Sequence, residues 1–165
     1  MATTGIKLPG ARAFVKRVGN VTAQIAAELI VEELQREGPA WTGEFRNAWV
    51  IKPGTNVRIN PTKASSYTEE ERLARTSAET RQVIKAPKLK GRSSNGYTIG
   101  NQMTYRDIAM DLVPSGDLVR PYRKGATAEK DWYVKFVQGG GLREVLELAT
   151  GKAEKDPTVR GFKTK

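Results

Sequence analysis

The sequence predicts an α+β domain, in which a long N-terminal amphipathic helix packs on a small, mainly antiparallel β-sheet, with further helices and extended loops. Apolar residues recur every three or four positions from about 11 to 37, which is the period of a helix with one buried face. A tryptophan-rich corner follows and leads into Trp49-Val50-Ile51, a run typical of a strand. Shorter helical and extended patterns then alternate, separated by segments rich in glycine and proline.

Composition narrows the class of protein. A chain of 165 residues favours a single domain with a real core. Cysteine and histidine are both absent, so the chain has neither thiolate chemistry nor the commonest general base and transition-metal ligand. No stretch has the apolar length of a signal peptide or a membrane span, so we expect a soluble protein, intracellular where it is made.

The N-terminal part divides into an arm and a helix. Residues 1–10 are small and polar, with glycine and proline, and we expect a flexible arm. The helix should run from about 11 to 37, some seven turns, and end at Gly38-Pro39, since proline cannot continue its hydrogen-bond ladder. Its apolar stripe consists of Phe14, Val18, Val21, Ile25, Leu29 and Ile30. We expect this stripe to lie across the sheet.

The corner after this helix predicts a turn and then strands. Thr42 can cap a short helical turn over 44–48. A strand is expected over 48–52, with Trp49 buried between the long helix and the sheet. A turn at 53–56 follows, and the alternation of Val57-Arg58-Ile59 predicts a second short strand.

The middle of the chain begins with a helix start signal. Thr68 precedes three acids, Glu69 to Glu71, which the helix dipole favours in a first turn, and the helix should run along the surface to about Val83. Composition predicts a mobile loop over 86–95. A strand is expected to follow over 96–101.

The C-terminal part predicts helices and a tail. Residues 105–112 form a short helix or an extended segment, and 113–125 a loop. Helices are expected over 128–138 and 142–149, interrupted by three glycines at 139–141. The chain then divides into a flexible N-terminal arm, one α+β domain and a flexible basic C-terminal tail: residues 1–10, 11–150 and 151–165.

The sequence motifs for catalysis and cofactor binding are incomplete in this chain. The three glycines at 139–141 have no strand leading into them, and Gly151-Lys152 lacks the upstream glycine of a phosphate-binding loop. Asp107 and Asp111 could share a hard cation on a helix, but two carboxylates alone make a weak site. A catalytic serine–lysine pair stays an alternative, although no residue spacing indicates one. We therefore expect no enzyme, no cofactor, and no catalytic or metal-binding residue.

A basic run is the main charge feature of a chain whose net charge is +10. Residues 81–106 contain six cations and no acid: Arg81, Lys85, Lys88, Lys90, Arg92 and Arg106. Three interpretations follow: a solvated loop, contact with DNA phosphates, or contact with the acidic face of a neighbouring protein. Pro87 and Gly91 predict that the loop projects, and we favour the protein contact over DNA.

The corner also carries a family resemblance. The pattern Pro-x-x-Thr-Gly-x-(Phe/Leu)-Arg-x-(Ala/Ser)-Trp, after a long helix, resembles the tailed-phage neck, head–tail connector and tail-completion proteins related to gene product 10 of phage HK97. It is met by Pro39, Thr42, Gly43, Phe45, Arg46, Ala48 and Trp49. Asn101 and Tyr105 fit a second family motif, but Arg106 replaces its small residue and no Glu-x-Gly follows in register. The resemblance covers about residues 11–150.

The resemblance implies a virion structural protein at the head–tail junction, made in the host cytoplasm and without a membrane partner. Copies would form a homo-oligomeric ring around the DNA channel, contacting the DNA only non-specifically and joining portal or connector to tail proteins. Such a ring needs a heterologous interface. The ring could have six or twelve copies. Its role could be that of a neck, tail-terminator or head-closure protein. A stand-alone basic nucleic-acid-binding protein is the other candidate, although no nucleic-acid-binding signature appears.

Overall fold

The structure is a computed structural model that describes residues 11–39, 44–63, 66, 68, 70–71, 74, 87–104, 106–110 and 131–161. Several sequence predictions lie outside these residues: the arm at 1–10, the cap Thr42, the motif residues Gly43 and Tyr105, the basic residues Arg81 and Lys85, the Asp107–Asp111 side-chain pair and the loop at 113–125.

The described elements confirm the predicted α+β class, a long helix packed on an antiparallel sheet with further short helices. In chain order they are α1 (Ala11–Glu37), α2 (Glu44–Asn47), β1 (Trp49–Pro53), β2 (Tyr97–Asn101), α3 (Arg106–Ala109), α4 (Trp132–Gln138), α5 (Gly141–Lys155) and α6 (Pro157–Arg160). The helix α1 has its predicted bounds, and each strand is within one residue of its prediction. In the described residues, no helix has the length and apolar character needed to cross a membrane.

The sheet consists of β1 and β2, which pair antiparallel with Trp49 opposite Asn101 and Pro53 opposite Tyr97. The predicted strand over 57–59 is wrong, because these residues belong to no strand. The N–H of Val57 instead donates to the Thr98 hydroxyl at 3.0 Å. A side-chain acceptor thus takes the place of the backbone carbonyl that a neighbouring strand would supply. Since two strands alone are marginally stable in water, the sheet depends on its packing against α1.

A long C-terminal helix, α5, packs along α1 in the opposite direction. Near the C-terminal end of α1, Val31 belongs to the same buried cluster as Val145 from the first half of α5. Near the N-terminal end, Val21 packs with Ala153 from the last turns of α5. The two helices are therefore antiparallel, and α1 packs against both α5 and the sheet. The predicted stripe is buried or half-buried except at Phe14, which is 38% exposed.

The predicted flexible tail over 151–165 is wrong for residues 151–161. The helix α5 continues through Gly151 to Lys155, and α6 follows after Asp156. Ala153 and Val159 are buried against α1, so small apolar side chains hold a segment whose polar composition predicts disorder. Residues 162–165 lie outside the described part of the chain.

Two further predicted features agree with the structure. Thr68 and Glu71 form a reciprocal capping box: the Thr68 N–H donates to the Glu71 carboxylate at 2.8 Å, and the Glu71 N–H donates to the Thr68 hydroxyl at 3.3 Å. Gly139 and Gly140 separate α4 from α5, which begins at Gly141, and Gly140 has φ 110°, a conformation that favours glycine.

Candidate functional site

The motif residues of the corner form an aromatic core. Phe45 and Trp49 are both buried, with ring centroids 5.7 Å apart and planes nearly perpendicular. Trp132 of α4 meets Phe45 in the same edge-to-face manner at 6.1 Å. Such pairs add stabilisation beyond the area that they bury. The burial of Trp49 in the core cluster beside Val31 agrees with the sequence prediction.

Arg46 closes the C-terminal end of α1. Its guanidinium donates to the carbonyl oxygens of Gly38 and Arg36, each at 3.4 Å. Carbonyls in the last turn of a helix lack intrahelical donors, so the Arg46 guanidinium supplies the missing donors. Gly38 is needed here for space, because a Cβ would come within 2.7 Å of the Leu34 carbonyl oxygen. The motif residue Pro39 is buried next to it.

Asn101 connects the two motif segments. Its Nδ2 donates to the carbonyl oxygen of Phe45 at 2.7 Å, and its Oδ1 accepts from the N–H of Met103 at 2.9 Å. The guanidinium of Arg106 donates to the Asn101 carbonyl oxygen at 3.1 Å. Arg106, the residue that departs from the family pattern, therefore stabilises the same junction. The structure brings together Phe45, Arg46, Trp49 and Asn101 as parts of one packed corner.

Two tryptophans in this corner differ in their hydrogen bonding. The indole N–H of Trp132 donates to the carbonyl oxygen of Ala109 at 2.9 Å, in a buried position. The indole N–H of Trp49 is buried without a hydrogen-bond partner among the described residues. Trp132 is the corner residue that sequence reasoning did not assign. Its signal was a large aromatic in an apolar helical pattern, which identifies a core residue but not its partner.

The basic residues of the 81–106 run do not all project. The ammonium of Lys88 is 3.3 Å from the Glu28 carboxylate, and Arg92 is 3.5 Å from Asp156. The backbone of Leu89 is held on α1, donating to Glu28 at 3.0 Å and accepting from Gln24 at 3.2 Å. The prediction of a projecting loop is therefore wrong at residues 88, 89 and 92, which contact α1 or Asp156. The acids that balance the run lie far away in sequence, where a local count of charges does not find them.

Asp156 links the loop to the C-terminal helices. It is the N-cap of α6, and its side chain accepts hydrogen bonds from the hydroxyl and the N–H of Thr158. These two bonds lower the pKa of Asp156 below its ordinary value, and the nearby Arg92 lowers it further. Arg17 of α1 donates to the Thr158 carbonyl oxygen at 3.3 Å and completes this junction.

Two grooves flank the corner. One, of about 580 Å³, lies beside the sheet and is lined by Trp49, Ile59, Ile99, Met110 and Tyr133 together with the cations Arg58 and Arg106. The other, of about 700 Å³, lies between α1, α4 and α5. Apolar side chains line it (Trp132, Phe136, Val145 and Leu148), and so do the charged residues Glu33, Arg36, Glu37, Lys135 and Glu144.

No family model, curated protein or solved structure matches this chain. The described residues contain no group of three or more carboxylate, histidine or cysteine side chains that could hold a metal ion. What the described part of the chain offers is a packed aromatic corner, two grooves and exposed charge.

Proposed function

We propose that the chain is a non-catalytic structural protein of a tailed-phage virion, placed at the head–tail junction as a neck or tail-completion component. Copies form a ring around the DNA channel and join the connector to the tail. The observation that carries this proposal is the contact between the two motif segments: Asn101, from the second, donates to the backbone of Phe45, in the first, at 2.7 Å.

This contact supports the resemblance because the residues that match the family pattern hold the same corner together. Phe45 and Trp49 form the core of the corner, Arg46 closes α1, and Asn101 fixes the strand to the corner. All of these roles are structural, which fits a scaffold whose function lies on its surfaces.

A test of the proposed function is the protein content of purified virions. Quantitative mass spectrometry of particles from the phage that encodes the chain should find it in a fixed ratio to the portal protein. Particles formed without it should contain filled heads and separate tails, because the joint between them is missing. Virions that lack the protein and yet join heads to tails would contradict the proposal.

The second candidate is a stand-alone nucleic-acid-binding protein, and the net charge of +10 favours it. Two cations of the basic run, Lys88 and Arg92, are within ion-pair distance of carboxylates of the same chain, which weakens their attraction for phosphate. Titration of labelled duplex DNA at several salt concentrations separates the candidates. The proposed virion component should bind DNA weakly and without sequence preference, whereas tight binding by the monomer would favour the alternative.

A further inference from the structure

The backbone of β2 has hydrogen-bonding groups that the sheet does not use. At one end of the β1–β2 ladder, the N–H of Gly54 donates to the carbonyl oxygen of Gly96 at 2.8 Å. In an antiparallel pair, hydrogen-bonded and non-hydrogen-bonded residue pairs alternate along the strands. Ile99 lies opposite Ile51, three steps from the bonded pair, and so belongs to a non-hydrogen-bonded pair. The N–H and C=O of Ile99 therefore face away from β1, toward the outer edge of β2.

A neighbouring contact agrees with this direction. Asn101, two residues further along β2, points its backbone groups to the same edge as Ile99. There its carbonyl oxygen accepts a hydrogen bond from the Arg106 guanidinium at 3.1 Å. Among the described residues, no hydrogen bond from outside the sheet reaches the N–H or the C=O of Ile99. Within the described part of the chain, the outer edge of β2 is thus occupied at Asn101 and open at Ile99.

This open edge lies in the groove of about 580 Å³ beside the sheet, named here the edge groove. Ile59 covers one face of β2, because a Cβ on Gly100 would collide with the Ile59 side chain. Ile99 points to the opposite face and packs, as Tyr133 does, against the core cluster. Ile59, Ile99 and Tyr133 all line the edge groove. The groove therefore has apolar walls on both faces of the strand.

The charged groups that line the edge groove have one sign. Arg58 and Arg106 belong to its lining, and no carboxylate does so among the residues that the structure describes. Arg58 is exposed, so its guanidinium can meet an incoming ligand. Complementary charges across an interface guide the encounter and suppress partners of the wrong charge. The edge groove therefore fits a ligand that combines apolar with acidic side chains.

We propose that the edge groove binds an extended, acidic segment of a different protein, which adds to β2 as a further strand. The backbone of the segment pairs with the N–H and C=O of Ile99, as in other complexes in which a peptide extends a sheet. Successive side chains of a strand point to opposite faces, so the segment can place apolar side chains against the walls and acidic ones near Arg58 or Arg106. This site goes beyond the proposed virion role and does not rest on it.

The observations favour a peptide over a nucleic acid. Ile99 presents a donor and an acceptor at the same edge, and a peptide backbone supplies a partner for each. A phosphate only accepts hydrogen bonds, so it would leave the Ile99 carbonyl oxygen facing another acceptor. The apolar walls give contact area to aliphatic side chains but offer no partner to a phosphate. Charge alone would suit either ligand, so the backbone groups decide between them.

Synthetic peptides test the proposal with the full chain. The probe is a fluorescent peptide in which glutamate and valine alternate and both ends are blocked. Fluorescence anisotropy should show that it binds the wild type and that added salt weakens binding. Methylation of the peptide's backbone nitrogens should abolish binding, because the peptide can then no longer donate to Ile99. Replacing glutamate by lysine should weaken binding at least about tenfold, because like charges then meet Arg58 and Arg106.

Two variants locate the contact on this chain. Arg58→Glu should weaken binding of the acidic peptide at least about tenfold. Lys152→Glu makes the same change of charge at an exposed position of α5 and should leave binding unchanged. Ile99→Pro removes the outward N–H, at an edge-strand position of the kind that accommodates proline, and should abolish binding. Thermal melts check folding, and the methylated peptide tests the same hydrogen bond if Ile99→Pro does not fold.

The amide hydrogen of Ile99 gives a direct readout by NMR. It should exchange with solvent quickly in the free protein and more slowly in the complex with the acidic peptide. Slow exchange already in the free protein would mean that another part of the same chain pairs with this edge, and would overturn the proposal.

Other results would also overturn it. One is failure of the wild type to bind the acidic peptide, and another is equal binding by Arg58→Glu. An oligonucleotide that displaces the peptide and binds Arg58→Glu more weakly would assign the edge groove to nucleic acid. Self-association of the wild type that Ile99→Pro abolishes would assign the edge to a second copy. None of these measurements uses virions, so their failure is distinct from failure of the proposed function.

Discussion

Asn101 donates from its amide nitrogen to the carbonyl oxygen of Phe45 at 2.7 Å, across 56 positions of sequence. Only 1% of Asn101 is exposed, so water cannot replace this bond or the one that its oxygen accepts from Met103. Buried polar groups that are fully paired fix one arrangement of a core, and the same groups left unpaired are costly. The strand β2 and the aromatic corner are therefore held as one unit.

Replacing Asn101 by alanine should lower the free energy of unfolding by at least about 2 kcal/mol. Two buried backbone groups, on Phe45 and Met103, would lose their partners, and each such group costs about 1–3 kcal/mol. Urea denaturation followed by tryptophan fluorescence measures the change. Asn60→Ala, at an exposed position, is the control and should cost little. Equal losses of unfolding free energy in the Asn101 and Asn60 variants would show that the hydrogen bonds of Asn101 do not stabilise the corner.

The two tryptophans of the corner provide a matched pair. Trp49→Ala should cost about 3–5 kcal/mol, as for a large aromatic removed from a core. Trp49→Phe should cost less than Trp132→Phe by about 1–3 kcal/mol. Among the described residues the indole N–H of Trp49 has no partner to lose, whereas Trp132→Phe removes the donor that pairs with the Ala109 carbonyl oxygen. Equal losses of stability in the two phenylalanine variants would contradict the hydrogen-bond assignment.

Gly38→Ala should destabilise the corner by about 1–3 kcal/mol, the usual cost of overpacking. The new Cβ would meet the Leu34 carbonyl oxygen at 2.7 Å and the rings of Phe45 and Trp132 at 3.3 Å. Gly19→Ala is the matched control on the same helix, with no atom within 4 Å of the new Cβ. It should stabilise by about 0.5–1 kcal/mol, because alanine is the better helix former. Thermal melts should therefore shift in opposite directions.

Asp156→Ala should cost about 1 kcal/mol at neutral pH, since it removes the N-cap of α6. The pKa of Asp156 is lowered in the folded state, so its stabilising effect is complete above the unfolded value of 3.8 and is lost as the pH falls through the folded value. The difference in stability between wild type and variant should therefore shrink below about pH 3.8. The difference in stability between Asp156→Asn and Asp156→Ala should show no such pH dependence, because neither variant has a carboxylate at this position. A difference between wild type and Asp156→Ala that stayed constant down to low pH would argue against the ionised cap.

Local periodicity was sufficient to predict α1, both strands and the burial of Trp49. These features depend on neighbours a few residues away, such as the helical spacing of Val18, Val21 and Ile25 or the aromatic and β-branched run that starts at Trp49. The sequence also identified Phe45, Arg46 and Asn101 through their pattern. Their contacts with one another required the fold.

The wrong predictions share a physical cause, which is partners distant in sequence. Residues 151–161 are polar in composition, yet Ala153 and Val159 are buried against Val21, more than 100 positions earlier. Lys88 meets Glu28 across 60 positions, so a basic run without local acids is partly neutralised in space.

Cryo-electron microscopy of the neck region in purified phage particles is the decisive test of the proposed virion role. We expect a ring of density at the head–tail junction into which this fold fits. A junction whose ring density is fully occupied by other proteins, in particles that join head to tail normally, would contradict the claim.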